Sequence, residues 1–190
     1  MKYLVECFDN KEYVRLPNGN YYLYIPLTDQ IPNTPYSLID DAVTELSKAV
    51  DFSTTTVILG DEDRGGYLSA LVAYKMKKSL AMSKWYPDGA RGQLCIDFKN
   101  EYTKGKMYLN GLNRGDHITI VDDLIQTGST IIALINLAKR EKGVIIDNIV
   151  AIGEDMDCDG VEKIYAETGY RAKTLVKYKR EGNRSKVISF

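Results

Sequence analysis

The sequence predicts an α/β fold, a mostly parallel, twisted sheet flanked by helices. Three observations predict it. Residues 54–59 are a β-branched run bounded by Gly60, and helical spacing over 67–77 follows a short charged loop. Residues 118–121 repeat the plan, with a β-branched run, two acids, a small-residue loop and an apolar helix at 131–137. Residues 144–152 are a third such run, with a helix expected at 161–167. Strands separated by helices need crossover connections, which make the strands parallel and cover both faces of the sheet.

The chain has 190 residues, of which 44% are hydrophobic, enough to bury the core of one domain, 1–190. With 25 basic and 26 acidic residues the net charge is -1, which gives no electrostatic footprint for nucleic acid. No apolar run reaches 18 residues, and residues 1–7 lack the apolar centre of a signal peptide. Cys7, Cys95 and Cys158 are scattered and odd in number, as expected of reduced thiols in a cytoplasmic protein, and they lack zinc spacing.

Taken in order, residues 1–35 read as short strands and turns, with a turn at 16–20 and a strand at 21–25. Residues 36–50 place Ile39, Val43, Leu46 and Val50 on one helical face, with acids early, where the helix dipole favours them. After the 67–77 helix, 79–85 reads as a strand, and 94–98 with 106–109 as a hairpin. The single histidine, His117, opens the 118–121 strand and reads as structural. The helix after the second loop spans 129–141, and strands are expected at 170–178 and 186–190.

Two loops carry chemistry. Gln126, Thr127, Gly128, Ser129 and Thr130 join a strand to a helix, and small residues there expose backbone N–H groups at a helix N-terminus, which suits a phosphate. Asp122 and Asp123, just before it, would repel that phosphate. They fit a ligand with hydroxyls or a metal on its other side, such as a ribose 5-phosphate. In the earlier loop, 60–66, glycines permit close backbone approach and Arg64 offers a forked donor. Both loops follow strand ends, where open α/β sheets bind ligands.

Residues 121–130, Val-Asp-Asp-Leu-Ile-Gln-Thr-Gly-Ser-Thr, closely resemble the phosphoribosyl pyrophosphate (PRPP) motif of type I phosphoribosyltransferases. Gln126 stands where a small residue is common in that motif, and Ser129 where glycine is common. Asp63-Arg64-Gly65 resembles the pyrophosphate-binding loop of adenine-type members, and Glu101-Tyr102 their Glu-Tyr pair. The ends of the 144–152 strand and the turn at 169–171 resemble xanthine and adenine enzymes of the group.

The resemblance implies a core at 54–178, an N-terminal hood over the base at 1–35, and a flexible β-hairpin flap at 84–105. It implies displacement at C1 of PRPP, with a nucleobase nitrogen attacking and pyrophosphate leaving. Asp122 and Asp123 are then expected to hold ribose hydroxyls or the waters of Mg²⁺, with few or no direct protein ligands to the metal. Residues 126–130 would hold the 5-phosphate, Asp63, Arg64, Gly65, Lys84 and Arg91 the pyrophosphate, and Glu101 would handle a purine proton. Tyr22 and Tyr24 are expected to stack on the base. Thr28 lacks the amide that reads purine oxygens in xanthine-type relatives, which argues against xanthine and, with the adenine-type Glu101-Tyr102 pair, leaves adenine ahead of hypoxanthine and guanine. A homodimer without nucleic-acid or membrane partners is expected. Two alternatives stay open: a PRPP-sensing regulator without turnover, and a transferase for a non-purine acceptor.

Overall fold

The computed structural model describes residues 1–17, 19, 21–99, 104–141 and 143–190. The chain opens with a helix, α1 (Lys2–Phe8), where strands and turns were expected. Its buried face is only Leu4, Cys7 and Phe8, too short a stripe to show a period. What holds it is distant in sequence: Ser185 Oγ donates to the Phe8 carbonyl at 2.6 Å and accepts from the Lys11 N–H at 2.9 Å. β1 (Tyr13–Arg15) and β2 (Tyr21–Leu23) then form a two-stranded antiparallel ribbon, followed by α2 (Pro26–Asp29) and α3 (Tyr36–Ala49).

The core follows as β3 (Val57–Asp61), α4 (Gly66–Met76), β4 (Ser79–Lys84), β5 (Leu94–Lys99), β6 (Lys104–Leu109), β7 (His117–Ile125), α5 (Ser129–Ala138), β8 (Ile145–Asp155), α6 (Gly160–Thr168), β9 (Lys173–Glu181) and β10 (Arg184–Ser189). The main sheet has the order β10-β9-β8-β7-β3-β4-β6-β5. Strands β4, β3, β7, β8 and β9 are parallel, and the antiparallel pairings lie toward the two edges. Leu46 of α3 and Val72 of α4 pack with Ile58 and Val121 on one face. On the other face Leu134 of α5 and Ile164 of α6 pack with Leu59 and Ile120.

The acids end the apolar run of β7 but not the strand. Asp122 pairs with Ala151 and Ile125 with Glu154, because the backbone of β8 offers ladder partners whatever the side chains are. The hairpin is anchored: Phe98 and Met107 are buried in the cluster that contains α5. From β3 the chain winds outward both ways, through α4 to β4 on one side, and later to β7 and β8 on the other. The carboxyl ends of β3 and β7 therefore flank the crevice where such sheets bind ligands.

Candidate active site

A cavity of about 680 Å³ opens at that crevice. All of Gln126, Thr127, Gly128, Ser129 and Thr130 line it. Gly128 has φ 74° and caps α5, and no side chain caps the helix. A Cβ at Gly128 would lie 2.6 Å from the Gly160 carbonyl oxygen. The Thr127 and Ser129 hydroxyls are 3.1 Å apart. Uncapped N–H groups of a first helical turn, with two hydroxyls beside them, are chemically suited to an anion.

Asp122 and Asp123 face the same cavity and are 5% and 7% exposed. The Asp123 N–H donates to Asp122 Oδ1 at 2.9 Å, and the Leu124 N–H to Asp123 Oδ1 at 2.8 Å. Asp123 Oδ2 is buried with no protein partner. A third acid, Asp61, ends β3 in the same wall and accepts from Ser83 Oγ at 2.9 Å. Burial pushes the Asp61 carboxyl up to about 6, against the Ser83 hydrogen bond. Burial first, then the charges of Asp123 and Asp61, raises Asp122 well above the usual carboxylate range. Asp123 is raised too by burial, opposed by the hydrogen bond from Asp122 and by the N–H of Leu124.

These raised carboxyls set a pH dependence. In the unfolded chain they ionise near 3.8, while in the folded protein they keep their protons to higher pH. Their contribution to stability is fully present below the unfolded value and is lost as pH rises through the folded one. The melting temperature of the ligand-free protein should fall as pH rises from about 4 through about 6, and Asp61→Asn combined with Asp122→Asn should flatten the fall. Calorimetry across that range checks this, and parallel slopes for both proteins would contradict it.

The remaining expected residues divide. Asp63, Arg64, Gly65 and Tyr22 line the cavity. A Cβ on Gly65 would lie 2.4 Å from Asp122 Oδ1, so the first loop abuts the acid pair. The Arg64 guanidinium lies 4.6 Å from the centre of the Tyr22 ring and donates to its hydroxyl. Tyr22 in turn donates to Asp29 Oδ1 at 2.8 Å.

Thr28, Tyr24, Lys84 and Arg91 are not in the cavity wall. Thr28 is buried and its Oγ1 donates to Asp29 Oδ2 at 2.7 Å, so it supports the hood rather than facing a base. Tyr24 is exposed and stands edge-on to Tyr22 at 4.6 Å. Lys84 pairs with Asp88 at 3.1 Å, and Arg91 is exposed in the loop beyond. Besides Arg64, the cations that reach the wall are Lys104 and Lys106 of the hairpin, joined there by Trp85 and Glu62. The acidic run 61–63 was visible in the sequence and all three acids line the cavity, but that Asp61 is the buried one depends on β3 extending through it. His117 opens β7, at the opposite end from the acids, with Nδ1 2.9 Å from Asp147 Oδ1, in keeping with a structural role. Glu101 and Tyr102 lie outside the described residues.

No family model matches the chain. It is 35% identical over 158 residues to a hypoxanthine/guanine phosphoribosyltransferase of Methanocaldococcus infernus, covering 83% of this chain and 84% of that one. It is 28% identical over 188 residues to the protein of the same name from Aciduliprofundum boonei, covering 99% and 100%. Among solved structures, adenine phosphoribosyltransferase from Thermoanaerobacter pseudethanolicus superposes with a TM-score of 0.73 at 24% identity, over 88% of this chain and 95% of that one. The enzyme of that name from Rhodothermus marinus gives 0.75 at 18%, over 93% and 97%. The structural likenesses carry the fold, and the sequence relatives carry the family. With a PRPP-type loop and two buried acids facing one crevice, the chain belongs to the type I phosphoribosyltransferases, a family of pentosyl-transferring enzymes.

Proposed function

We propose that the protein transfers the phosphoribosyl group of PRPP to a purine, with hypoxanthine and guanine preferred over adenine. The observation that carries the transfer is the juxtaposition of residues 126–130 with Asp122 and Asp123 in one cavity. The choice of base rests on the sequence relatives, which are named for hypoxanthine and guanine. The structural neighbours named for adenine are under 25% identical and speak for the fold alone. The expectation of adenine leaned on the Glu101-Tyr102 pair, which lies outside the described residues, and on Thr28, which lies outside the cavity wall, so its missing amide says nothing about the base.

In this reading the 5-phosphate sits on the N–H groups at the start of α5. Asp122 and Asp123 take the ribose hydroxyls, and the 63–65 loop takes the pyrophosphate. Tyr22 offers a flat face to the base, and Glu101 exchanges its proton. The anomeric carbon becomes cationic as pyrophosphate leaves, so fixed carboxylates and dipoles do most of the catalytic work. Among the described residues no group of three or more His, Cys, Asp or Glu is placed to hold a metal. The buried, unpartnered Asp123 Oδ2 nevertheless fits a cation held mainly by substrate oxygens and water. Bound there, Mg²⁺ would neutralise the pyrophosphate. A homodimer belongs to the same proposal and is checked by light scattering.

Initial rates with PRPP and Mg²⁺ over hypoxanthine, guanine, adenine, xanthine, orotate and uracil test the proposal. Hypoxanthine or guanine should be consumed with kcat/KM about a hundredfold or more above adenine, since a site built for one exocyclic group leaves buried partners unpaired with the other. Equal or better turnover of adenine would overturn the base assignment. PRPP binding without turnover of any base would make the protein a sensor.

A further inference from the structure

The N-terminal segment reaches the cavity through a buried acid that lies behind the wall. Asp29 ends α2 with a side chain only 6% exposed, and its two oxygens face different neighbours. Oδ2 serves the local turn: it accepts from the Ile25 N–H at 3.0 Å and from Thr28 Oγ1 at 2.7 Å. Oδ1 serves the cavity side: it accepts from the Tyr22 hydroxyl at 2.8 Å and lies 3.9 Å from Arg64 Nε. The Tyr22 hydroxyl in turn accepts from the Arg64 guanidinium, which lies over the Tyr22 ring. A hydroxyl has one proton to give. Because that of Tyr22 goes to Asp29, its oxygen is turned to receive Arg64. Acid, hydroxyl and guanidinium thus form one chain of contacts that ties α2 to the 63–65 loop. The Arg64 side chain is still 44% exposed and lines the cavity, so its fork keeps donors for a ligand.

We propose that Asp29 is a positioning residue for pyrophosphate, acting through Tyr22 to hold Arg64 at the cavity wall; this rests on reading the 63–65 loop as the pyrophosphate seat. A long cationic side chain loses rotamer freedom when it grips an anion, and one already held in place loses less. At 3.9 Å from Nε the Asp29 carboxylate attracts the guanidinium without a hydrogen bond, so that donor is not used up. Ribose 5-phosphate, read as held by Asp122, Asp123 and residues 126–130, has no need of this chain of contacts.

The test is a double-mutant cycle in the full chain, read by titration calorimetry with magnesium pyrophosphate and, separately, with ribose 5-phosphate. Asp29→Asn keeps an oxygen for the Ile25 N–H and the Thr28 hydroxyl and removes the charge that faces Arg64. It should weaken pyrophosphate binding about tenfold and leave ribose 5-phosphate within about threefold of wild type. Added to Arg64→Ala, it should change pyrophosphate binding by no more than about threefold, since its route to the ligand is gone. Unchanged pyrophosphate affinity in Asp29→Asn, an equal loss for both ligands, or a double variant equal to the product of the singles would overturn the role of Asp29. Where Asp29→Asn does not fold, Tyr22→Phe breaks the same chain at its middle, and wild-type pyrophosphate affinity there overturns the proposal equally. A wild-type chain that takes ribose 5-phosphate but not pyrophosphate, or an Arg64→Ala variant that binds pyrophosphate as wild type does, would overturn the reading of the 63–65 loop, a result separate from all of these.

Discussion

Asp122→Asn with Asp123→Asn should lower kcat by about three powers of ten or more, roughly 4 kcal/mol of transition-state stabilisation, while the protein stays folded. The reasoning runs from burial. Both carboxyls are almost wholly shielded, adjacent in sequence, and raised by burial, and one oxygen of Asp123 has no protein partner. A fold gains nothing from such an arrangement, because two neighbouring acids in a low-dielectric wall oppose each other's charge. The two amides keep the shape, remove the repulsion and can still accept from the N–H groups of Asp123 and Leu124. Melting temperature should hold or rise as activity vanishes. Steady-state kinetics beside thermal denaturation measure both. Activity near wild type would refute the catalytic role, and unfolding would make the acids structural.

Gly128→Ala should raise KM for PRPP about a hundredfold. Two causes add. The backbone sits at φ 74°, where a side chain costs about 1 kcal/mol or more, and the new Cβ would meet the Gly160 carbonyl at 2.6 Å and Ile164 at 2.8 Å. Neither neighbour is a flexible chain end, so the loop must move, and with it the N–H groups at the start of α5. Gly169→Ala separates the causes, since Gly169 has φ 77° with nothing within 4 Å. That control should lose comparable backbone stability and keep the wild-type KM. Equal KM values in the two variants would show that the contact with α6 does not shape the phosphate seat.

The parallel core and both loops were legible because each signal is local. A β-branched run, a loop of small residues and a helical stripe all fit within twenty residues, and the crossover rule does the rest. What stayed hidden depends on contacts far apart in sequence. The α1 helix is held by Ser185, on the last strand. The continuation of β7 through the acids needs the β8 ladder. Thr28, Tyr24, Lys84 and Arg91 were chosen by residue type and neighbourhood, yet side-chain direction places them outside the cavity, and Lys104, Lys106 and Asp61 reach it instead.

The central claim is that the start of α5 holds a phosphate while the acids behind it hold a ribose. A crystal structure of the protein soaked with ribose 5-phosphate tests it most directly. The claim predicts the phosphate against the N–H groups of residues 127–130, with the sugar hydroxyls turned toward Asp122 and Asp123. Ribose 5-phosphate bound elsewhere with this loop empty, or bound here with the hydroxyls turned away from both acids, would contradict it.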